Sequence, residues 1–349
     1  MRNLVVLSIF LGFPMGLVAA AAQADPARTD SGLQVLDRWK LGGTGGWDYL
    51  TVDSARRLFV SRGTRVEVVD TESGRLIGTI KNTPGVHGIA LAVDLHRGFI
   101  SNGKADSVTV FDLDSLKTLQ EVKIPGHNPD AILYEPAGKH VFTFNGKSKD
   151  VTVLDASSLA VVATFPVPDK PEFAVDDGAG QIYVNIESEA GQMVVIDSRK
   201  LSIKATWPLA GCSSPSGLAI DRTRHRLFSV CDEKVMAITN AENGAPVARM
   251  SIGEGPDAAA YDEKRGLVFS SNGEGTLTVV RQASADSYRV IDMVKTQRGA
   301  RTMALDPDTG KVYLVSAKFG PIPAPTPEQP HPQATPTPGT FTILVVGAR

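Results

Sequence analysis

The chain has 349 residues, and 36 Lys and Arg side chains are balanced by 38 Asp and Glu side chains, a formal net charge of -2. This balance gives no electrostatic reason to expect nucleic acid or an anionic membrane as partner. Aromatic residues make up only 6% of the chain, which also speaks against a base-stacking surface. Its 33 Gly and 22 Pro are typical of short strands joined by turns.

The first 24 residues have the features of a secretory signal peptide. Arg2 precedes an apolar run from Leu4 to Ala22, and residues 22–24 form a small-residue cleavage motif. No second long apolar run follows that would span a bilayer. We therefore predict cleavage after Ala24 and a periplasmic or secreted mature protein without a membrane span.

Seven copies of a turn followed by a short strand with one aromatic residue cover the rest of the chain. Examples are "DLHRGFISNG", "EPAGKHVFTFNG" and "DEKRGLVFSSNG". The aromatic residues recur every 40 to 45 positions, and they are Phe59, Phe99, Phe142, Tyr183, Phe228, Phe269 and Tyr313. This period is typical of a β-propeller blade.

Each repeat contains the pattern of four strands. A short strand rich in Ala and Gly, such as "GIALAV" or "DAAAYD", precedes the aromatic strand, and alternating strands follow it. Small residues suit the innermost strand of a wedge-shaped blade, where space near the axis is least. We therefore predict an all-β, seven-bladed β-propeller of four-stranded antiparallel blades, formed by residues 25–349 as a single domain and as a monomer.

The last repeat lacks one strand, while "LQVLDRWKL" near the mature N-terminus reads as a strand without a repeat. We predict that residues 33–41 lie beside residues 340–346 as the outer strand of blade seven. This pairing closes the ring and removes both free edges.

The segments "FISNGKADSVTVFD" and "FTFNGKSKDVTVLD" resemble the repeat of the YVTN family of seven-bladed propellers, which includes the YncE-like exported proteins. The resemblance covers essentially the whole mature chain. Blade four departs from the pattern with "YVNI", and blade five, "FSVCD", has no Asn. The motif residues build strands and turns, so the resemblance implies the fold and an exported binding or interaction protein, and it implies little about activity.

The main candidate site is formed by the residues at the start of each inner strand. In a four-stranded meander these starts lie at one end, which we call the mouth, together with the turns between second and third strands. The residues there are Asp48, His87, Asp130, Glu172, Ser216, Asp257 and Arg301. The carboxylates and the imidazole suit a divalent metal ion, a cationic ligand or a cationic partner, with Arg301 as the nearest countercharge.

We take five of these residues as candidate metal ligands: Asp48, His87, Asp130, Glu172 and Asp257. An alternative interpretation is structural. An Asp after Pro or Trp accepts hydrogen bonds from nearby backbone N–H groups as an Asx turn, and "NPD" and "GPD" recur with the repeat. Both interpretations can hold together.

Three further features lie near the predicted mouth. Trp47 directly precedes Asp48, where no other blade has an aromatic residue, and is a candidate contact for a planar or cationic ligand. His127 is a second candidate, with a solvent-facing loop residue as the alternative. The Asn-Gly pairs at residues 102–103, 145–146 and 272–273 are interpreted as turns that tolerate positive φ.

Cys212 precedes the inner strand of blade five, and Cys231 ends the second strand. Antiparallel pairing brings both to the mouth, so we predict a disulfide, as an oxidising compartment favours.

The Pro-rich residues 320–339 interrupt blade seven between its second and third strands. They are predicted to project from the mouth as a channel flap, a docking segment or a tolerated insertion.

Motifs of the common hydrolase and nucleotide-binding classes, such as GxSxG, HExxH and the P-loop, do not occur in the sequence. The leading hypothesis is therefore a binding protein that takes a partner protein or a small ligand at the mouth. One alternative is a metal-assisted lactonase or lyase in which His87 is the general acid or base. Another, from a different branch of similar propellers, is the binding of a metal or tetrapyrrole cofactor.

Overall fold

A computed structural model describes residues 31–326, 332 and 334–349 of the chain. The predicted signal peptide and its cleavage site lie outside these residues. Strand β1 spans Leu33–Lys40, and a single turn of 3-10 helix covers Val93–Leu95. None of the helices in this part of the chain is long and apolar enough to cross a membrane.

Seven four-stranded antiparallel sheets form the ring, as the repeat predicted. Blades one to three consist of β2 (Leu50–Val52), β3 (Arg57–Ser61), β4 (Arg65–Asp70), β5 (Leu76–Lys81), β6 (Val86–Ala92), β7 (Arg97–Asn102), β8 (Ser107–Asp112), β9 (Thr118–Lys123), β10 (Pro129–Glu135), β11 (His140–Asn145), β12 (Asp150–Asp155) and β13 (Val161–Pro166). Blades four to six consist of β14 (Lys170–Asp176), β15 (Gln181–Glu187), β16 (Gln192–Asp197), β17 (Ser202–Pro208), β18 (Leu218–Asp221), β19 (Arg226–Cys231), β20 (Val235–Asn240), β21 (Pro246–Ser251), β22 (Pro256–Asp262), β23 (Leu267–Asn272), β24 (Thr276–Ser284) and β25 (Ser287–Lys295).

Blade seven is built from both ends of the described chain. It contains β26 (Met303–Leu305), β27 (Val312–Ser316), β28 (Thr342–Ala348) and, on its outside, β1. Leu33 pairs with Ala348 at one end of the β1–β28 ladder, and Lys40 pairs with Thr342 at the other. The predicted closure of the ring by the N-terminal strand is confirmed.

The repeat aromatics form the core between blades. All seven second-strand aromatic residues are at most 1% exposed, including Phe59, Phe142 and Tyr313. Burial of side chains of this size contributes roughly 2 to 3 kcal/mol each, so the period of the sequence is also the period of the main stabilising contacts.

Inner strands lie close enough to their neighbours to require small residues. A Cβ atom added at Gly217 of blade five would come within 2.6 Å of backbone atoms of Asp257 and Ala259 in blade six. One added at Gly88 would meet Ile132 of the next blade at 2.8 Å. The Ala and Gly content of these strands therefore follows from how closely the blades approach at the axis.

The turns at the end opposite the mouth are ordered by their own side chains. Asp70, Asp112, Asp155 and Asp197 each accept a hydrogen bond from the backbone N–H three residues on, between the third and fourth strands of their blades. These local side-chain-to-backbone hydrogen bonds fix each turn without help from a neighbouring blade. We call this end the turn end.

Cys212 and Cys231 form the predicted disulfide, with Cα atoms 5.2 Å apart. It joins the loop before β18 to the end of β19, at the mouth of blade five. Both cysteines are at most 1% exposed. Disulfides persist in oxidising compartments, so the bond indicates a location outside the cytoplasm.

Candidate functional site

The starts of the inner strands converge on a cavity of about 210 Å³ at the mouth end of the channel. Its lining includes the side chains that the sequence placed there, apart from His87: Asp48, Asp130, Glu172, Ser216, Asp257 and Arg301. His87 stands beside it and lines a neighbouring groove. Four predicted carboxylates from four different blades thus share one small space.

Two aromatic rings lie across the channel at the inner side of this cavity. Tyr49 of blade one stacks on Phe173 of blade four with ring centroids 5.4 Å apart and planes inclined by 23°. Both rings also line a second cavity further along the inner strands, with Val52, Leu91 and Ala131 among its lining residues. The pair therefore separates the mouth cavity from the rest of the channel.

His87 is the centre of a three-residue group. Its Nδ1 atom lies 2.6 Å from Oδ2 of Asp48 and 3.6 Å from Oδ1 of Asp130. Burial by itself disfavours the imidazolium, but the hydrogen bond to Asp48 and the charge of Asp130 outweigh it and raise the pKa of His87. Burial raises the pKa of Asp130 to about 6, against the opposing charge of His87.

Asp48, His87 and Asp130 are also the group whose ligand atoms all lie within 4.8 Å of one another. Of the five candidate metal ligands, Glu172 and Asp257 do not join this group. Glu172 pairs with Lys170, and Asp257 pairs with Arg301 at 3.3 Å. The geometry therefore divides the predicted ring into one candidate metal-binding group and two carboxyl groups that each contact a basic side chain.

Lys170 and Glu187 are mouth residues that the sequence reasoning missed. The Lys170 ammonium contacts Glu172 and lies 2.5 Å from Glu187. Burial and a hydrogen bond with Glu187 raise the pKa of Glu172 to about 9, so this acid keeps its proton at neutral pH. The hydrogen bond with Glu172 and the charge of Lys170 together overcome burial and lower the pKa of Glu187.

A signal for Glu187 was present in the irregular fourth repeat. Four residues after the repeat aromatic, blades one, two, three and six have Gly63, Gly103, Gly146 and Gly273, whereas blade four has Glu187 and blade five has Asp232. A departure from the blade pattern at a mouth position is more informative about the site than the pattern itself.

Asp257 is held by its two neighbours in the ring. Ser216 of blade five donates to Oδ1 of Asp257 at 3.2 Å, and the Arg301 guanidinium of blade seven lies on the other side. Burial raises the pKa of Asp257 to about 6, although the charge of Arg301 opposes the shift. Arg301 is thus a countercharge for Asp257, whereas Lys170, which the prediction left out, contacts Glu172.

The structure gives no Asx turn at Asp48, Asp130 or Asp257, because no backbone N–H of the described residues donates to their carboxylates. Second-strand polar side chains order the inner-strand starts instead. Ser101 donates to the Asp130 backbone carbonyl of the next blade at 2.5 Å, and Asn185 donates to that of Ser216 at 2.9 Å. The mouth carboxylates are therefore left for other interactions.

Glycine at position 103 is required by close packing and not by its backbone conformation. Neither Gly103 nor Gly146 nor Gly273 has a positive φ. A Cβ atom added at Gly103 would lie 2.7 Å from Cδ2 and Nε2 of His87 and 2.9 Å from Oδ1 of Asn128. The Asn-Gly pairs do stand at turns, as interpreted, but their glycines do not use positive φ. Glycine at 103 instead makes room for the His87 ring.

Trp47 and His127 lie outside the axial cavity, on a groove of about 1080 Å³ along blades one to three. The Trp47 ring packs against Phe341 and Phe319, with centroids 5.3 and 6.1 Å away. The buried Arg62 guanidinium lies 3.5 Å from the Phe341 ring centroid. Trp47 is thus anchored to blade seven while it borders the groove.

His127 hydrogen-bonds Asp106 at 2.9 Å through Nδ1, and its side chain is 64% exposed.

The described part of the Pro-rich insertion lies on the opposite side of Trp47. Phe319, Ile322 and Pro336 line a cavity that Trp47 and Arg301 also border. The insertion begins at the mouth, as its position between the second and third strands predicted.

No protein-family model matches this chain, and no curated protein matches it. Similar solved structures include a chain of Kuenenia stuttgartiensis hydrazine synthase, with 17% identity, a TM-score of 0.69 and coverage of 77% of this chain and 92% of that one. U3-55K has 11% identity and a TM-score of 0.72 over 91% of this chain and 99% of its own. A mitotic checkpoint complex chain has 14% identity and a TM-score of 0.69 over 90% and 96%. These similarities show the propeller fold alone, and the resemblance to the YVTN repeat stands on its sequence motifs.

Proposed function

We propose that this chain is an exported, YVTN-like propeller that binds a small cationic ligand in its mouth cavity. The observation that carries the proposal is the composition of that cavity. Five carboxyl groups line it against two basic side chains, Lys170 and Arg301. Propellers serve in general as scaffolds for binding, and such a lining selects for positive charge.

Pairing these groups by their contacts leaves one buried carboxyl group without a basic partner of its own. Lys170 offsets Glu187, Arg301 offsets Asp257, and His87 hydrogen-bonds Asp48 through Nδ1. Glu172 is neutral because burial raises its pKa to about 9. Asp130 remains as a buried carboxyl group whose nearest basic neighbour, His87, already hydrogen-bonds Asp48. A cationic ligand beside Asp130 relieves the cost of burying its negative charge.

The cavity volume favours a small ligand. About 210 Å³ is below the 300 to 1,000 Å³ of pockets for drug-sized molecules, so it suits a compact amine or guanidinium and argues against a tetrapyrrole within it. A partner protein would reach this space only by inserting a basic side chain. Export to the periplasm is supported by the Cys212–Cys231 disulfide and by the signal-peptide features of residues 1–24.

The test is calorimetric titration of EDTA-treated protein with methylammonium, methylguanidinium and putrescine at low salt. We expect binding of at least one cation, a weaker affinity at high salt, and a loss of about tenfold in Asp130→Asn. Asp155→Asn, which changes a turn-end carboxylate, is the matched control. Equal binding by the wild type and Asp130→Asn, or no binding up to 10 mM as an order-of-magnitude limit, rejects the proposal.

The convergence of Asp48, His87 and Asp130 favours a second candidate, a metal-assisted lactonase. A metal ion there would polarise a lactone carbonyl in the cavity, and water addition would open the ring to a hydroxy acid. Hydrolysis of simple γ- and δ-lactones with added Zn²⁺ or Mn²⁺ tests it. Turnover by the wild type that is lost in Asp130→Asn supports an enzyme. If no metal gives turnover, the lactonase is rejected and the binding protein remains the proposal.

A further inference from the structure

We infer that Asp48, His87 and Asp130 bind one divalent transition-metal ion, and that Gly103 positions the His87 ring for it. The inference deepens the proposed function, because it names an inorganic cation for the same mouth. It rests on the geometry of the three ligands, on the burial of Asp130 and on the close packing at Gly103.

Two of the three ligand distances are close to those around a small metal ion, and the third, between Asp48 and Asp130, is within 4.8 Å. Bonds of about 2.0 to 2.2 Å in tetrahedral geometry place neighbouring ligand atoms roughly 3.3 to 3.5 Å apart. Nδ1 of His87 and Oδ1 of Asp130 already lie 3.6 Å apart. The separation of His87 from Asp48, now 2.6 Å through a hydrogen bond, has to open by less than about one ångström, which a side-chain rotation provides.

Asp130 supplies an independent observation. The residue is 9% exposed, and its Oδ1 atom lies 3.6 Å from Nδ1 of His87, which is too far for a hydrogen bond. Its backbone carbonyl, by contrast, is held by Ser101. Burying a carboxylate without hydrogen bonds is costly unless it is paired or coordinates a metal. A metal ion bound by Oδ1 of Asp130 and Nδ1 of His87 would remove this cost.

The donor set selects among metals. Two carboxylate oxygens and one imidazole nitrogen suit Zn²⁺ or Mn²⁺ better than Ca²⁺, which takes six to eight oxygen ligands. Two carboxylates also balance the charge of one divalent ion. Asp48 and Asp130 both line the 210 Å³ cavity, so a fourth coordination position opens towards it, as in metal sites that receive a ligand.

Gly103 and Gly146 form a natural control pair. They hold the same position in blades two and three, after "FISN" and "FTFN", and neither has a positive φ. A Cβ at 103 would clash with the His87 ring at 2.7 Å, whereas a Cβ at 146 would have its nearest contact at 3.4 Å. Alanine at 103 therefore moves the imidazole, and alanine at 146 does not.

The experiment is titration of EDTA-treated, full mature protein with Zn²⁺, Mn²⁺ and Ca²⁺. We expect one Zn²⁺ per chain, with Mn²⁺ weaker and Ca²⁺ weakest. His87→Gln and Asp130→Asn each reduce Zn²⁺ affinity at least about tenfold, and Gly103→Ala about tenfold, because shifted ligands lose 10- to 100-fold. Gly146→Ala and Asp155→Ala stay within about twofold.

Thermal melts of each variant show whether its fold is intact, and the Asn and Gln variants keep the side-chain shape. Zn²⁺ affinity that is unchanged in both His87→Gln and Asp130→Asn overturns the site. Affinity lost only in His127→Ala moves the metal to the outer groove and also overturns it. The organic cations are titrated in the presence of EDTA, which removes metal ions. Their binding therefore tests the proposed function independently of metal binding.

Discussion

The two ends of the propeller use the same side chain in opposite ways. At the turn end, hydrogen bonds from the residue three positions on lower the pKa of Asp70, Asp112, Asp155 and Asp197. At the mouth, burial raises the pKa of Asp130 and Asp257 to about 6 and that of Glu172 to about 9. Both sets recur with the repeat, so recurrence alone does not separate a structural carboxylate from a functional one.

The difference is energetic. A lowered pKa means that the folded state favours the carboxylate, so the turn-end groups stabilise the fold when ionised. A raised pKa means that folding opposes ionisation, so the mouth groups cost stability at neutral pH. Carboxylates that a chain keeps at such a cost are candidates for function.

The largest expected effect concerns the covalent link at the mouth. The double variant Cys212→Ala, Cys231→Ala lets the unfolded chain gain entropy and should lose about 3 kcal/mol of stability, measured by denaturant unfolding. Reductant should then lower the stability of the wild type by a similar amount and leave the variant unchanged. A variant as stable as the wild type shows that the mouth does not depend on the disulfide.

Asp257→Asn tests the cost of a mouth carboxylate. Its folded pKa of about 6 exceeds the ordinary 3.8, so the stability linked to this group is present below pH 3.8 and is lost as the pH rises through 6. The variant should therefore be more stable than the wild type by about 3 kcal/mol at pH 8, with little difference at pH 4. A less stable variant at pH 8 would mean that the Asp257–Arg301 pair outweighs burial.

Asp155→Ala tests the opposite end and should act in the opposite direction. The Asp155 carboxylate accepts from the backbone N–H groups of Ser157 and Ser158 and from the Ser158 hydroxyl. Its loss should cost about 1 kcal/mol at pH 7 in thermal melts, and Asp155→Asn should restore much of it. Because the pKa of Asp155 is lowered, the stability difference between the wild type and Asp155→Ala should shrink as the pH falls through the pKa of Asp155. A stability difference that does not change with pH contradicts a role for the ionised carboxylate.

Glu172→Gln should have the smallest effect. The pKa of Glu172 near 9 keeps the acid protonated at pH 7, and a neutral amide of similar shape replaces it. Stability at pH 7 should change by less than about 0.5 kcal/mol. At pH 10 the variant should gain relative to the wild type, because only the wild type then ionises a buried acid. A large loss at pH 7 would show that Glu172 is ionised beside Lys170.

Much of the fold followed from local patterns. The period of the buried aromatics, from Phe59 to Tyr313, predicted seven blades, and the spare strand at Leu33 predicted how the ring closes. The Cys212–Cys231 disulfide followed from the strand order. These features could be predicted because the alternation of apolar and polar residues and the choice of turn residues depend on neighbours in the chain.

The site was predicted only in outline, because meander logic gives the end of a blade and no distances across the axis. It placed Asp48 and Asp257 at the mouth but did not separate the Asp48–His87–Asp130 group from the Glu172–Lys170–Glu187 group. It also missed the Tyr49–Phe173 stack, whose rings come from blades one and four.

The sequence by itself determined the number of blades, their strands, the closure of the ring and the residues at the mouth. Each of these follows from local patterns that recur with the repeat. Only the tertiary structure decided which carboxylates are buried, which share a cation and why Gly103 has no side chain. Those properties depend on the approach of chain segments far apart in sequence, where distance and solvent exclusion set both charge and contact.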